Sequence, residues 1–169
     1  DGENTTMYRD GLHARSLDSG HHESRSWVKG FHAAIASRIE ADRGFRICGE
    51  NMYAQHSIAY DDLESYFLAF SVWRGDLCAG WRDTKIYLKE LGIAHVPVLY
   101  EGVFDETKIR ALWTPELAAK HEGYVIRPWA PFLLEKFPQL VLKYVRKNHV
   151  QTDDHWLSRP VVPNKLKGE

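Results

Sequence analysis

The eight residues from Tyr66 to Trp73 carry four aromatic rings and a β-branched valine, with Ser71 the one small polar member. So dense an aromatic and apolar run reads as a buried strand. A buried strand needs hydrogen-bonded neighbours and packed layers on its faces, so the rest of the chain must supply a sheet and its cover.

The sequence offers those pieces. Thr5-Thr6-Met7-Tyr8 is strand-like, Arg9-Asp10-Gly11 carries an Asp-Gly turn signal, and Leu12-His13-Ala14-Arg15-Ser16 is the return strand. Leu17 to Ser26 is a polar loop containing Gly20 and the pair His21-His22. From Trp27 to Ile39, Val28, Phe31, Ala34, Ile35 and Ile39 recur at helical spacing, behind Ser26 as N-cap and ahead of Gly44 as stop. Phe45 to Ala54 is a strand turned by Gly49, and Tyr60 to Tyr66 is a linker of mixed charge. Asp83 caps a helix that runs to Leu91 and ends at Gly92. Val96 to Tyr100 is a strand whose proline marks an edge or a start. Asp105 to Trp113 is a short helix, and Thr114-Pro115 starts another. Glu122 to Arg127 and Leu140 to Arg146 are two further strands, and the tail from Thr152 to Glu169 reads as loop or frayed end. Strands interspersed with helices and joined by turns favour an α+β fold with antiparallel sheets and flanking helices over a doubly wound parallel sheet.

Composition narrows the function classes. At 169 residues one domain is the expectation, and 22 Lys+Arg against 23 Asp+Glu leave no overall basic coat for nucleic acid, only room for a local patch. No apolar run is long enough to span a bilayer, and the opening residues carry no signal-peptide pattern, so no membrane partner is expected. Cys48 and Cys78 form no Cys-x-x-Cys pair and are too few for a disulfide scaffold, which favours reduced thiols in an intracellular protein. Neither a Gly-x-Gly-x-x-Gly string nor a P-loop occurs.

Charged residues set beside strands carry the chemical signal: Asp1-Gly2-Glu3-Asn4 with Arg15, Glu50 after Gly49, Glu122 opening a strand that closes on Arg127, and Lys143 between Leu142 and Tyr144. With period two, Lys143 and Val145 share one strand face while Leu142 and Tyr144 share the other. Each string alone fits a half-exposed strand with solvated charges, Phe70 alone a core residue, Arg15 a surface charge and Asn4 a turn residue. Together they fit a concave surface for a charged ligand and a metal. His13, His21 and His22 lack a neighbouring cysteine or carboxylate at zinc-ligand spacing and read as solvated. Arg25, Lys29 and Arg38 read as a solvated helix face, with an RNA-backbone contact the lesser alternative. Trp81, Trp113 and Trp129 read as packing anchors, and Trp156 docks the tail.

In this order the strings resemble the covalent nucleotidyltransferase superfamily of ATP-dependent ligases and capping enzymes, and within it the RNA ligase family. That family opens with Lys-x-Asp/His-Gly-x-Asn, whose lysine attacks ATP to give lysyl-AMP. Asp1-Gly2-Glu3-Asn4 resembles its last four positions, which places the lysine two residues ahead of Asp1, outside the 169 residues, and implies a chain unable to adenylylate itself. The resemblance implies contacts to the nucleotide from Asn4, Arg15 and Glu50, with Arg15 and Glu50 at the ribose. It further implies adenine stacking on Phe70, twenty residues after Glu50, metal binding by Glu122 and phosphate contact by Lys143.

The resemblance implies a nucleotidyltransferase (ATP-grasp-like) domain over residues 1–150, lacking its N-terminal start, and a tail over 151–169. Two antiparallel sheets would enclose the nucleotide groove. ATP and Mg²⁺ (or Mn²⁺) would be the cofactors, broken or nicked RNA the partner, and sealing of 3′-hydroxyl to 5′-phosphate ends the activity, with Glu122 and Lys143 catalytic. A non-catalytic nucleotide- or RNA-binding module, a capping guanylyltransferase and a DNA ligase of the same superfamily are the alternatives. The chain departs from the pattern in two places. Val141 and Val145 stand where a second lysine would flank Lys143, leaving Arg146 or Lys147 to substitute, and Ser71 follows Phe70 where many relatives have aspartate.

Overall fold

The computed structural model describes residues 1–15, 22–147 and 160–168. His21, Trp156 and the tail over 152–159 lie outside the described residues. The strands are β1 (Glu3–Met7), β2 (Leu12–Ala14), β3 (Phe45–Asn51), β4 (Phe67–Arg74), β5 (Leu77–Cys78), β6 (Gly123–Ile126), β7 (Phe132–Leu133) and β8 (Leu142–Val145). The helices are α1 (Ser26–Ile35), α2 (Trp81–Leu91), α3 (Glu106–Ala111), α4 (Pro115–Lys120) and α5 (Phe137–Leu140). Six strands form one sheet in the order β2-β1-β3-β4-β5-β7, and β6 pairs with β8 in a second; every pairing between named strands is antiparallel.

The Asp-Gly turn closes the first hairpin, with the Tyr8 N–H donating to the Gly11 carbonyl at 2.7 Å. The strand β4 is the buried run of the sequence, and it lies between β3 and β5. One face of the large sheet is covered by α1 and α2. Val28, Ile35, Leu88 and Leu91 from these helices pack with Met7, Phe45, Ile47, Phe67, Ala69 and Val72 from the strands. Burying such side chains supplies ~1.5–3 kcal/mol each and fixes which face of the sheet is closed.

Alternation breaks once in the middle of the sheet. Cys48 pairs with Ser71 and Gly49 with Ala69, so Phe70 is an extra residue on β4, a β-bulge. Gly49 therefore does not turn the strand as expected. It sits beside the bulge, where an added Cβ would lie 2.5 Å from the Phe67 ring and 2.7 Å from the Leu68 carbonyl oxygen.

Other expectations are corrected. Ser26 does not cap α1. A 3-10 turn, Glu23–Arg25, precedes the helix, and His22 accepts from the Ser24 N–H at 3.3 Å at its start. The helix α2 begins at Trp81 behind Gly80, which leaves Asp83 inside the first turn, where a carboxylate favours the helix dipole. Gly92 ends it in the left-handed region at φ 73°. Val96 to Tyr100 is not a strand. His95 forms one bridge with Ala69, the Val96 N–H donates to the Ala69 carbonyl at 3.0 Å, and Pro97 has no N–H to extend the pairing.

The end of the tail is docked rather than frayed. Ala54 bridges Pro163 and Leu63 bridges Leu166. The fully buried Asn164 donates to the Met52 carbonyl at 2.6 Å and accepts from the Tyr60 N–H at 2.9 Å. The segment clamps the linker between β3 and β4. Among the described residues no helix is long and apolar enough to cross a membrane, and Cys48 and Cys78 are free.

Candidate functional site

The register decides which side chains meet. Asn4 lies opposite Glu50 and Thr6 opposite Cys48, so these four share the sheet face turned away from α1 and α2. Arg15 follows β2 and donates its N–H to the Asn4 carbonyl at 2.9 Å, which continues the hairpin and puts Arg15 on that face beside Asn4. The bulge adds Phe70 to the same face. Phe70 is half-buried and belongs to none of the three buried apolar clusters of the described residues, whereas Ala69 and Val72 are in the core.

The small sheet stands across from this face. Val125 pairs with Lys143 and Tyr124 with Tyr144. Trp113, Tyr124 and Tyr144 pack ring against ring on one side, with Tyr124 and Tyr144 stacked at 4.9 Å, which leaves Lys143 on the other. Trp73, Cys78 and Phe132 form a cluster that Cys48 and Val141 complete, and this joins the two sheets at one end of the groove. Gly123 is required by backbone proximity: a Cβ there would lie 1.9 Å from the Tyr144 carbonyl oxygen. Its neighbour Glu122 is held by a hydrogen bond from the Arg146 N–H to the Glu122 carbonyl at 3.0 Å.

At the meeting of the sheets charges converge. The Asp1 backbone nitrogen lies 3.7 Å from the Glu122 carboxylate. The Asp1 carboxylate accepts the Ser57 and Ile58 N–H groups, each at 2.8 Å, and so anchors the linker after β3. Gly2 allows this approach, since a Cβ would lie 2.7 Å from the Asn51 carbonyl oxygen and 2.9 Å from Glu50 Cγ. Burial raises the Glu50 pKa; Lys143 pulls it back, and Glu122 and Glu3 add to the rise. Burial also lowers the pKa of His56, and it pushes the Tyr60 phenol up to about 12 with help from Glu122 and Glu50. These shifts locate Glu50, Glu122, Lys143, His56 and Tyr60 in one electrostatic neighbourhood.

Asn4, Arg15, Glu50 and Phe70 therefore lie on one face of the large sheet, and Glu122 and Lys143 of the small sheet act electrostatically on Glu50. No sequence motif announces His56 or Tyr60, and Arg127 closes the Glu122 string without a role assigned to it. Arg25 is buried, against the expectation of a solvated helix face: its guanidinium forms a two-pronged ion pair with Glu3, Nε to Oε2 at 2.7 Å. Arg38 is exposed, as expected, and donates to the Leu91 carbonyl at 3.3 Å and to that of Glu90, tying the end of the first helical segment to α2.

In general an aromatic ring can stack on a base, a carboxylate can accept from hydroxyls or bind a hard cation, and a lysine can meet a phosphate. No curated protein and no solved structure matches the chain. A family model described as RNA ligase matches residues 1–145, the span that holds both sheets and every residue of the groove named above, and the chain belongs to the RNA ligase family.

Proposed function

We propose that the chain is the nucleotidyltransferase domain of an ATP-dependent RNA ligase that seals 3′-hydroxyl to 5′-phosphate ends. The observation that carries this reading is the shared sheet face of Asn4, Arg15, Glu50 and Phe70, with Glu122 and Lys143 of the second sheet close enough to act on the Glu50 charge. In this reading Phe70 stacks on adenine. Glu50 and Arg15 take the ribose, with Asn4 beside them, and Lys143 lies along the phosphates. The nucleophilic lysine belongs two positions ahead of Asp1, whose backbone nitrogen already stands beside Glu122. Its amine attacks the α-phosphorus of ATP and pyrophosphate leaves. The AMP then passes to a 5′-phosphate, and a 3′-hydroxyl displaces it to close the strand.

Negative charge gathers on the α-phosphate oxygens during each attack, and cations fixed beside them stabilise it without reorganising. Lys143 is one such cation. Arg146 or Lys147 supplies a second in place of the family's paired lysine. Among the described residues no three His, Cys, Asp or Glu side chains are arranged to hold a metal. A magnesium ion fits this setting, because it is commonly held by one or two carboxylates, here Glu122, with substrate phosphates and water completing its shell. The ion would polarise the phosphate oxygens.

The test is a chain carrying Lys two residues ahead of Asp1, incubated with ATP and Mg²⁺ and weighed intact. A gain of one AMP is expected, together with loss of that gain in Glu122→Ala and Lys143→Ala. Preference for GTP points instead to a capping guanylyltransferase. Binding of ATP with no transfer points to a nucleotide-binding module.

A further inference from the structure

The bulge at Phe70 needs a partner for its backbone, and the structure supplies one from the opposite sheet. A bulged residue drops out of the ladder, so its carbonyl requires another donor. The Phe70 carbonyl accepts from Arg127 Nη1, at the end of β6 and 57 residues away in sequence. The guanidinium is itself fixed on several sides. Nη2 lies 3.3 Å from Cys78 Sγ and 3.4 Å from the Ala79 carbonyl oxygen, while the Trp81 and Phe132 rings lie 5.6 and 5.8 Å from its centre. Its Nε is buried without a partner among the described residues, an arrangement that costs free energy. That cost accompanies a planar fork reaching the Phe70 carbonyl and the β5 end together. A lysine ammonium has no such plane or span.

We infer that Arg127 is a positioning residue for nucleotide selection: by holding the bulge carbonyl of Phe70 it sets the ring as the platform for the purine base. The inference rests on the proposed nucleotide groove and adds to it the residue that aims the ring. Arg127 acts through Phe70 and touches no nucleotide atom, so its loss weakens whatever depends on the base and spares contacts that depend on phosphate alone.

The experiment titrates ATP and, separately, inorganic triphosphate into the full chain and into Phe70→Ala, Arg127→Met, Arg127→Lys and the double variant Phe70→Ala/Arg127→Met, with thermal unfolding measured for each. ATP affinity is expected to fall about tenfold in Phe70→Ala and in Arg127→Met, the scale of one lost base stack. Triphosphate affinity is expected to stay within about twofold in all, and Arg127→Met is expected to add no more than about twofold to ATP binding once Phe70 is gone. Arg127→Lys keeps one donor and is expected to lie between wild type and Arg127→Met; it also serves if the methionine variant does not fold. Equal loss of ATP and triphosphate binding, or additive effects in the double variant, overturns the inference alone. Unchanged ATP affinity in Phe70→Ala overturns the base-platform reading of the groove, and the inference falls with it.

Discussion

Glu3 and Arg25 form a nearly closed ion pair, their side chains 10% and 7% exposed, between β1 and the turn that leads into α1. The two oxygens of Glu3 meet two nitrogens of Arg25, and the bond to Glu3 raises the Arg25 pKa further above its already high value. Removing one partner strands a buried charge, which typically costs about 3–5 kcal/mol. Glu3→Gln and Arg25→Met are each expected to lower the unfolding midpoint sharply in denaturant titration. The double variant is expected to recover much of the loss, since it leaves no buried charge unpaired.

Glu50 is expected to trade stability for binding. Its pKa is raised chiefly by burial, so between the ordinary carboxylate value and the raised one the folded protein keeps a proton that the unfolded chain has released. Stability therefore falls as pH rises through that window, and near pH 7 the carboxylate is held at a cost. Glu50→Gln is expected to melt at a higher temperature than wild type near pH 7, with the gap closing near pH 4, and to bind ATP more weakly. Melts across that range and a nucleotide titration check both halves.

Gly123→Ala should break the small sheet. Its new Cβ would lie 1.9 Å from the Tyr144 carbonyl oxygen, which belongs to backbone and cannot rotate away. The expected cost is at least about 1–3 kcal/mol, the usual scale of overpacking. The Trp113–Tyr124–Tyr144 ring cluster would loosen with it, visible as a change in tryptophan fluorescence and near-ultraviolet dichroism.

Asn164→Ala tests the docked segment. The side chain satisfies the buried Met52 carbonyl at 2.6 Å and the partly buried Tyr60 N–H at 2.9 Å, and leaving the buried carbonyl without that partner costs about 1–3 kcal/mol. Hydrogen exchange is expected to rise over the linker between β3 and β4, which carries His56 and Tyr60 into the groove. Unchanged exchange there would mean that Asp1, through Ser57 and Ile58, holds the linker without help from Asn164.

Part of this arrangement is legible in the sequence. Gly49-Glu50 and Glu122-Gly123 each set a carboxylate next to a glycine that close backbone approach requires, and that signature is local. Alternation alone assigns Lys143 its face correctly. The contacts of Arg25, Arg127, His56 and Asn164 are not legible. Glu3 and Arg25 are 22 residues apart, Arg127 and Phe70 57, and Asn164 and Met52 112, and nothing in composition or period links such positions. The short strands β5 and β7 escape notice for a related reason: two residues carry no period, and only their pairing defines them.

Side-chain period, turn chemistry and motif order are properties of neighbours along the chain. They suffice for antiparallel sheets flanked by helices and for the burial of Tyr66 to Trp73. Where Phe70 points is a different matter, settled in three dimensions. Strict alternation would place Ala69 and Ser71 on one face and Phe70 and Val72 on the other. The bulge instead returns Val72 to the core beside Ala69 and leaves Phe70 and Ser71 on the groove side. A bulge arises from the fit of two strands and a donor to its freed carbonyl, and here that donor comes from the opposite sheet.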